Sequence, residues 1–427
     1  MGYSQGLSGL GAASAQLDTI GNNIANSSTN GFKSGTTEFA DMYANTVATA
    51  VSTPAGIGVK VVGVAQNFGQ GSFTNTGVPL DVAINGNGFF RMSVNGQVEY
   101  SRDGEFHTDL NGFLIDPEGA NLTGYPVGTN GVVSTASPVP LQVPLGNMAP
   151  VASGTVTTQG LNLDSTEGLP KTTPFNITDS QSYSYTNQVT AYDSLGDSHQ
   201  MQLYYVRNSP TTPIGYTVYA SQDGTLIPGQ DAAATPGLVG TLNFAASGTL
   251  TGFTAASPLA ANQTNTNEVL VPGLIVTTGG SPMSLNFDLT NATAYGGTGD
   301  SANMQADGNA AGNYVTAEID QNGDVVCSYT NGKTLVVGQV VLAAFNNNNG
   351  LKPVGDNKWI ETAESGQPQL GTAGTGTFSL MQTESVENSN VDLTGSLVDL
   401  ITAQRFYQAN AQTIKTQNTV DQTLLNM

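Results

Sequence analysis

The sequence predicts a multidomain, mainly β protein with terminal α-helices. The paired N- and C-terminal helices form a coiled-coil core domain, and of two β-rich domains the second is inserted into the first. Three observations predict this. The 32 residues from Ser396 to Met427 contain neither Gly nor Pro, in a chain with 52 Gly and 19 Pro among its 427 residues. Apolar residues recur at steps of three and four near the N-terminus. Between these ends, Asn-Gly steps flanked by β-prone residues follow one another closely.

The N-terminal helix is read from Tyr3, Leu7, Leu10, Ala13, Leu17, Ile20 and Ile24, which share one face of a helical wheel. Asn26 and the Asn30-Gly31 step stop it. At the other end, Leu393, Leu397, Leu400, Tyr407, Ala411, Ile414 and Leu425 share a face, and Phe406, Val420 and Leu424 form a second apolar patch. Asp392 and Thr394 stand where N-cap residues belong. Two narrow seams at opposite ends of the chain predict an antiparallel pair. These helices with their flanks, residues 1–31 and 388–427, make the terminal domain. Residues 32–72 and 378–387 show no clean period and are expected to be a linking arm with short local structure.

The middle carries Asn95-Gly96, Asn111-Gly112, Asn322-Gly323 and Asn331-Gly332, each between β-prone runs. Residues 73–145 and 291–377 are expected to form the first β domain, and 146–290 the outer one inserted into it.

Composition excludes several functions. With 32 acidic and 11 basic residues, the net charge of −21 repels polyanions, so no nucleic-acid partner is expected. One Cys and two His cannot make an internal disulfide or a Cys/His zinc site, and no metal or cofactor is expected. Apolar runs such as Val340 to Phe345 are too short to span a membrane, so no membrane insertion is expected. The first residues lack Lys, Arg and a continuous apolar core, unlike a cleavable secretory signal.

The chemical motifs are weak. Asp320 to Asp324 opens like a calcium loop, but its glycine is at the fourth position and the twelfth is Asn331, so a β-turn is expected. Asp193 to His199 gathers Asp, Ser and His between two strands and reads as a hairpin turn. Gly86-Asn87-Gly88 lacks the third glycine and the helix of a dinucleotide loop. No catalytic residue is assigned.

The stretch ANSSTNGFKSGTTEF, residues 25–39, resembles the signature of the bacterial flagellar rod–hook axial family through Ala25, Asn26, Thr29, Gly31, Phe32 and Lys33. Residues 389–427 resemble the family's C-terminal pattern through Gln404, Arg405, Tyr407 and Asn410. Residues 84–126, 192–205 and 339–366 look like the hook branch, whose extra outer domain the shorter rod proteins lack. The resemblance implies a hook subunit that self-assembles into a curved, flexible tube, a universal joint passing torque from rod to filament. It implies type III export, an extracellular place on the flagellum, and as partners other copies of itself, the distal rod, the hook cap and the hook–filament junction proteins. Tyr3, Leu7, Leu10, Leu17, Ile20, Ile24, Leu393, Leu397, Leu400, Phe406, Tyr407, Ile414, Val420, Leu424 and Leu425 are the expected assembly interface. The alternatives are a distal rod protein, which length and the insertion oppose, and an extracellular β-sandwich adhesin or glycan hydrolase, neither of which needs matched terminal helices.

Deletion of residues 1–24 is expected to leave a soluble β-rich monomer. Electron microscopy of the concentrated truncation would then show no tubes.

Overall fold

The computed structural model describes all residues except 1, 44–55, 129–130, 212–213, 229–234, 257–266, 275, 277–278, 298–302 and 426–427. Part of the expected arm, 44–55, therefore lies outside the described residues. The chain forms two compact units, Met1–Leu145 with Thr316–Ser328 and Thr334–Met427, and Gly146–Val315 with Tyr329–Lys333.

The first unit contains the terminal helices, α1 (Gly2–Ala25) and α2 (Leu393–Leu425). It also contains a ribbon of strands β1 (Gly35–Tyr43) and β2 (Gly56–Gln66). These strands pair antiparallel from Gly35↔Gln66 to Tyr43↔Gly56, with irregularities at Glu38/Phe39 and Met42/Tyr43. The irregularities explain why no clean two-residue period is visible in residues 35–66: a bulge switches the face that each later residue occupies.

The main sheet of this unit interleaves two stretches of chain. Strand Asn121–Pro126 pairs with Thr334–Val340 and with Phe89–Val94, and Gln97–Ser101 pairs with Lys358–Ile360. Two further pairings, Val82–Ile84 with Met381–Thr383 and Phe73–Asn75 with Ser385–Glu387, return the chain toward its ends. An aromatic cluster fills this sheet's core. Phe89 lies edge-on to Phe68, Trp359 and Phe345 at 5.6, 5.7 and 5.9 Å.

In the second unit, the five-strand run Tyr185–Tyr192, Ser198–Arg207, Ile214–Gln222, Leu238–Phe244, Leu250–Ala255 shares one core with a four-stranded sheet. Tyr205, Tyr216, Phe244, Leu285 and Phe287 are buried in it. The unit continues past residue 290 because Asn303–Ala306 pairs with Thr155–Gln159, and bridges Val151↔Asn309 and Met148↔Gly312 tie the returning chain to the start of the segment.

One turn recurs at Asp320 and Asp193, where the sequence suggested chemistry, and again at Asp109. Asp320 Oδ1 accepts the N–H groups of Asn322 (2.8 Å) and Asp324 (2.9 Å), while the Gly323 N–H reaches the Asp320 carbonyl at 3.0 Å. Asp193 does the same for Leu195 (2.8 Å) and Asp197 (2.9 Å), and Asp109 for Asn111 (2.8 Å) and Phe113 (2.7 Å). The glycine at the fourth position has positive φ in each, +82°, +90° and +85°. The carboxylates of these motifs are consumed as backbone caps. Ser194 accepts the Ser281 N–H (3.0 Å), while the two ring nitrogens of His199 face carboxylates, Nδ1 that of Asp223 (2.8 Å) and Nε2 that of Asp193 (3.8 Å), so Ser194 is not held by His199 and the stretch forms no triad.

Asp320→Ala removes two hydrogen bonds from its hairpin and is expected to cost about 1–2 kcal/mol. Urea unfolding of the full chain measures the loss; Gln321→Ala, at the same turn, is the near-neutral control.

Candidate functional site

Helix α2 begins where Asp392 Oδ1 accepts the N–H groups of Thr394 (3.0 Å) and Gly395 (3.1 Å), satisfying two of its free donors. It runs antiparallel to α1. Gly6 faces Ile414 and Gly9 faces Asn410, so closely that a Cβ on either glycine would stand 2.9 or 2.6 Å from these side chains. The seam on α1 therefore runs through Gly6, Gly9, Ala12 and Ala13, small residues that let two helices approach closely. An adjoining side of α1, about a quarter of a turn round from the seam, rests on the ribbon. Asn23 exchanges two hydrogen bonds with the Gly35 backbone (2.8 and 2.9 Å), Thr37 meets Thr19 at 2.9 Å, and Gln5 donates to the Gly56 carbonyl at 2.6 Å.

This placement differs from the expected seam. Ala13 and Ile20 are buried, Leu10, Leu17 and Ile24 half-buried, but Tyr3 and Leu7 are exposed. On α2, Leu400, Ala411 and Ile414 are half-buried, and Ala403 alone is buried. Leu393, Leu397, Phe406, Tyr407, Val420, Leu424 and Leu425 are exposed. Tyr3 and Leu7 on α1 and most of the α2 stripe are left open, while Gly6 and Gly9 mark where α1 meets Ile414 and Asn410. An apolar template gives glycine no weight, so the seam was not legible from it.

The loop after α1 turns on Asn26, whose Oδ1 accepts the Thr29 hydroxyl at 3.2 Å. Ala25, the last residue of α1, is exposed. Gly31 follows with φ +69°, and a Cβ there would stand 2.6 Å from the Asp103 nitrogen. Its N–H reaches the Glu387 carbonyl at 2.7 Å. Phe32 is half-buried. Lys33 is fully buried and donates to Glu387 Oε1 at 2.7 Å and to the Gly69 carbonyl at 2.9 Å. Arg102 approaches the other oxygen of Glu387 at 3.3 Å, donates to the Gly86 carbonyl at 2.8 Å, and lies 5.3 Å above the Phe89 ring. Burial pulls the Lys33 ammonium below its usual pKa, with Glu387 opposing the pull. Beside this hub, Asn390 accepts the Ser34 N–H (2.8 Å) and donates to the carbonyls of Asn67 (2.7 Å) and Gly69 (2.9 Å). The hub thus fastens the exit of α1, the approach to α2, the ribbon and the main sheet together.

Known proteins match these same parts. A model described as "Flagella basal body rod protein" matches residues 5–33, and one described as "Flagellar basal body rod FlgEFG protein C-terminal" matches 382–427. "Flagellar hook protein FlgE/F/G D1 domain" matches 83–166 and "Flagellar basal body protein FlaE D2 domain" 162–309. The flagellar hook protein FlgE of Escherichia coli (strain K12) is 41% identical over 431 residues, covering 100% of both chains. The chain belongs to the flagellar hook protein family. FlgE of Salmonella typhimurium is likewise 41% identical over 437 residues with 100% of both chains covered, and FlgE of Treponema pallidum is 28% identical, covering 99% of this chain and 98% of its own. The crystal structure of Helicobacter pylori flagellar hook protein FlgE2 shares the fold, with a TM-score of 0.50 at 14% identity over 74% of this chain and 100% of that one.

Within this hook subunit, Lys33 is the signature residue with a definite physical task, and Gly31 holds the close approach beside it. Gln404 and Arg405 are exposed, and Asn410 fits against Gly9. Glu387, Arg102, Asn23 and Asn390 were not picked out from the sequence. No local signal singles them out, because the burial of Lys33 that calls for an acid becomes visible only in the structure.

Glu387→Ala leaves two buried cations without their anion, and is expected to cost about 3–5 kcal/mol in denaturant unfolding. Asp103, against which Gly31 packs, has its pKa raised to about 7, by burial first and by Glu105, Glu118 and Asp116 next. Its folded value exceeds the unfolded 3.8, so its contribution is greatest at acid pH and falls as pH rises from about 4 to 7. Asp103→Asn is expected to remove that fall, so that unfolding curves at pH 5 and pH 8 differ less than in the parent chain.

Proposed function

We propose that this hook subunit polymerises through its terminal helix pair into the tube of the flagellar hook, with its β units forming the outer layers. The observation that carries the reading is the state of α2. A 33-residue helix keeps one residue, Ala403, buried, and exposes Leu393, Leu397, Val398, Ile401, Phe406, Val420, Leu424 and Leu425. Apolar surface of this extent is stable in water only when a neighbour covers it. Tyr3, Leu7 and Tyr407 add exposed surface to the interface in this reading, and Leu10, Leu17, Ile24 and Leu400 its half-buried margin, while Ile20 and Ile414 serve it from within the subunit. Contacts between unlike faces, repeated head to tail, give an open helical assembly.

The outer units suit a tube that bends as it turns. Several of their turns are capped by their own aspartates, and their sequence is rich in Thr, Asn and Gly, so neighbours can slide without breaking a close-packed seam. Torque then passes from rod to filament through a flexible joint. The distal rod, the hook cap and the hook–filament junction proteins adjoin the tube's ends, and the subunits reach the extracellular hook through the flagellar type III export apparatus. The acidic motifs serve as turns, and the reading gives the chain no catalytic role.

Electron microscopy of concentrated protein tests the reading. The parent chain is expected to form tubes, while Phe406→Asp and Leu424→Asp each remain monomeric with unchanged far-UV circular dichroism. Tubes from both variants would refute the role of this surface.

A further inference from the structure

The open faces of the terminal domain are of two kinds, and they differ in shape. One is a groove of about 490 Å³ beside the helix pair. Its floor includes Gly9, Ala12 and Ala13, and Phe39, Val59 and Phe406 also line it. Small residues set among large ones make a hollow that admits branched side chains. No charged residue lines it. The other is a projection. With Gly6 facing Ile414, the start of α1 at Gly2 falls near residue 418, so the last two turns of α2 extend beyond α1.

The projection is more apolar than its composition suggests. Val420 and Leu424 are four residues apart and lie on one face, with Leu425 beside them; Leu424 and Leu425 are 65% and 86% exposed. The hydroxyls of Thr419 and Thr423 bond back to the carbonyls of Lys415 (3.0 Å) and Thr419 (2.7 Å). Their polar atoms are satisfied within the helix, leaving methyl groups for contact. Asp421 is the single charge from Thr419 onward, in a chain of net charge −21.

The projection cannot fill its own groove. Val420 stands about 21 Å along the helix from Phe406, at 1.5 Å per residue. Resting on the polymer reading above, we infer that the last two turns of α2 dock in the Phe39–Phe406 groove of a second copy of this chain. Projection and groove are unlike surfaces displaced along one axis. Repeated in one direction along that axis, the contact leaves each copy both giving and receiving, and so grows into an open row of subunits. The near absence of charge on both surfaces lets them meet despite the repulsion of the subunits as a whole.

Mixing two disabled full-length chains tests this. Leu424→Asp spoils the projection and keeps the groove; Phe406→Asp spoils the groove and keeps the projection. Each alone is expected to sediment as a monomer, and an equimolar mixture at high concentration to give 1:1 dimers and nothing longer. A mixture that stays monomeric overturns the inference, as does either variant forming tubes alone. Tubes from the parent chain beside a monomeric mixture would overturn the groove contact and leave the polymer reading standing. A parent chain that forms no tubes would overturn both.

Discussion

The Glu387 carboxylate is the point on which the terminal domain depends. Lys33 and Arg102 bring two positive charges into a dry site, and neither could stay there without an anion within hydrogen-bond reach. Glu387 serves both, accepts the Gly71 N–H at 2.8 Å, and gives its own carbonyl to Gly31. A buried ion network adds little net stability over an apolar core. What it adds is geometry, because few arrangements satisfy every donor at once. Here every donor of Lys33 and Arg102 that is bonded goes to Glu387 or to a backbone carbonyl, with Arg102 Nε the one buried donor left over, and that arrangement holds the exits of α1 and α2 against the main sheet.

Around that hub, α1 lies between two neighbours of different character. Toward α2 it offers glycine and alanine and gains closeness. Toward the ribbon it offers Gln5, Ser8 and Asn23, which gain hydrogen bonds to strand backbones, and Thr19, which meets the Thr37 hydroxyl. A helix held on two sides in this way is a support. Its partner α2, held on one side only, is the part free to engage something else. The division of labour between the two helices follows from their neighbours.

The sequence made the ends and the middle legible for different reasons. The long stretch without Gly or Pro announced α2, and Asp392 its first turn, because these are local signals. The Asn-Gly steps announced hairpins, although the Asn111, Asn322 and Asn331 turns close with the glycine as a one-residue bulge. The helix seam was misplaced toward Tyr3 and Leu7 because close packing by Gly6 and Gly9 is a property of two helices together, invisible in either alone. The ribbon was hidden by its bulges. The hub was hidden because Lys33 and Glu387 are 354 residues apart, and no local pattern joins them.

That separation also orders events in time. A chain delivered end-first can fold its hairpins as they emerge, since turns such as those at Asp109, Asp193 and Asp320 carry their own caps. The terminal domain has to wait: until Glu387 arrives, Lys33 has no anion, the α1 exit has no anchor, and α2 does not yet exist. Closing so long a loop comes late and depends on structure already in place. The surface most prone to associate is therefore the last to be made, on a subunit whose other parts are already folded.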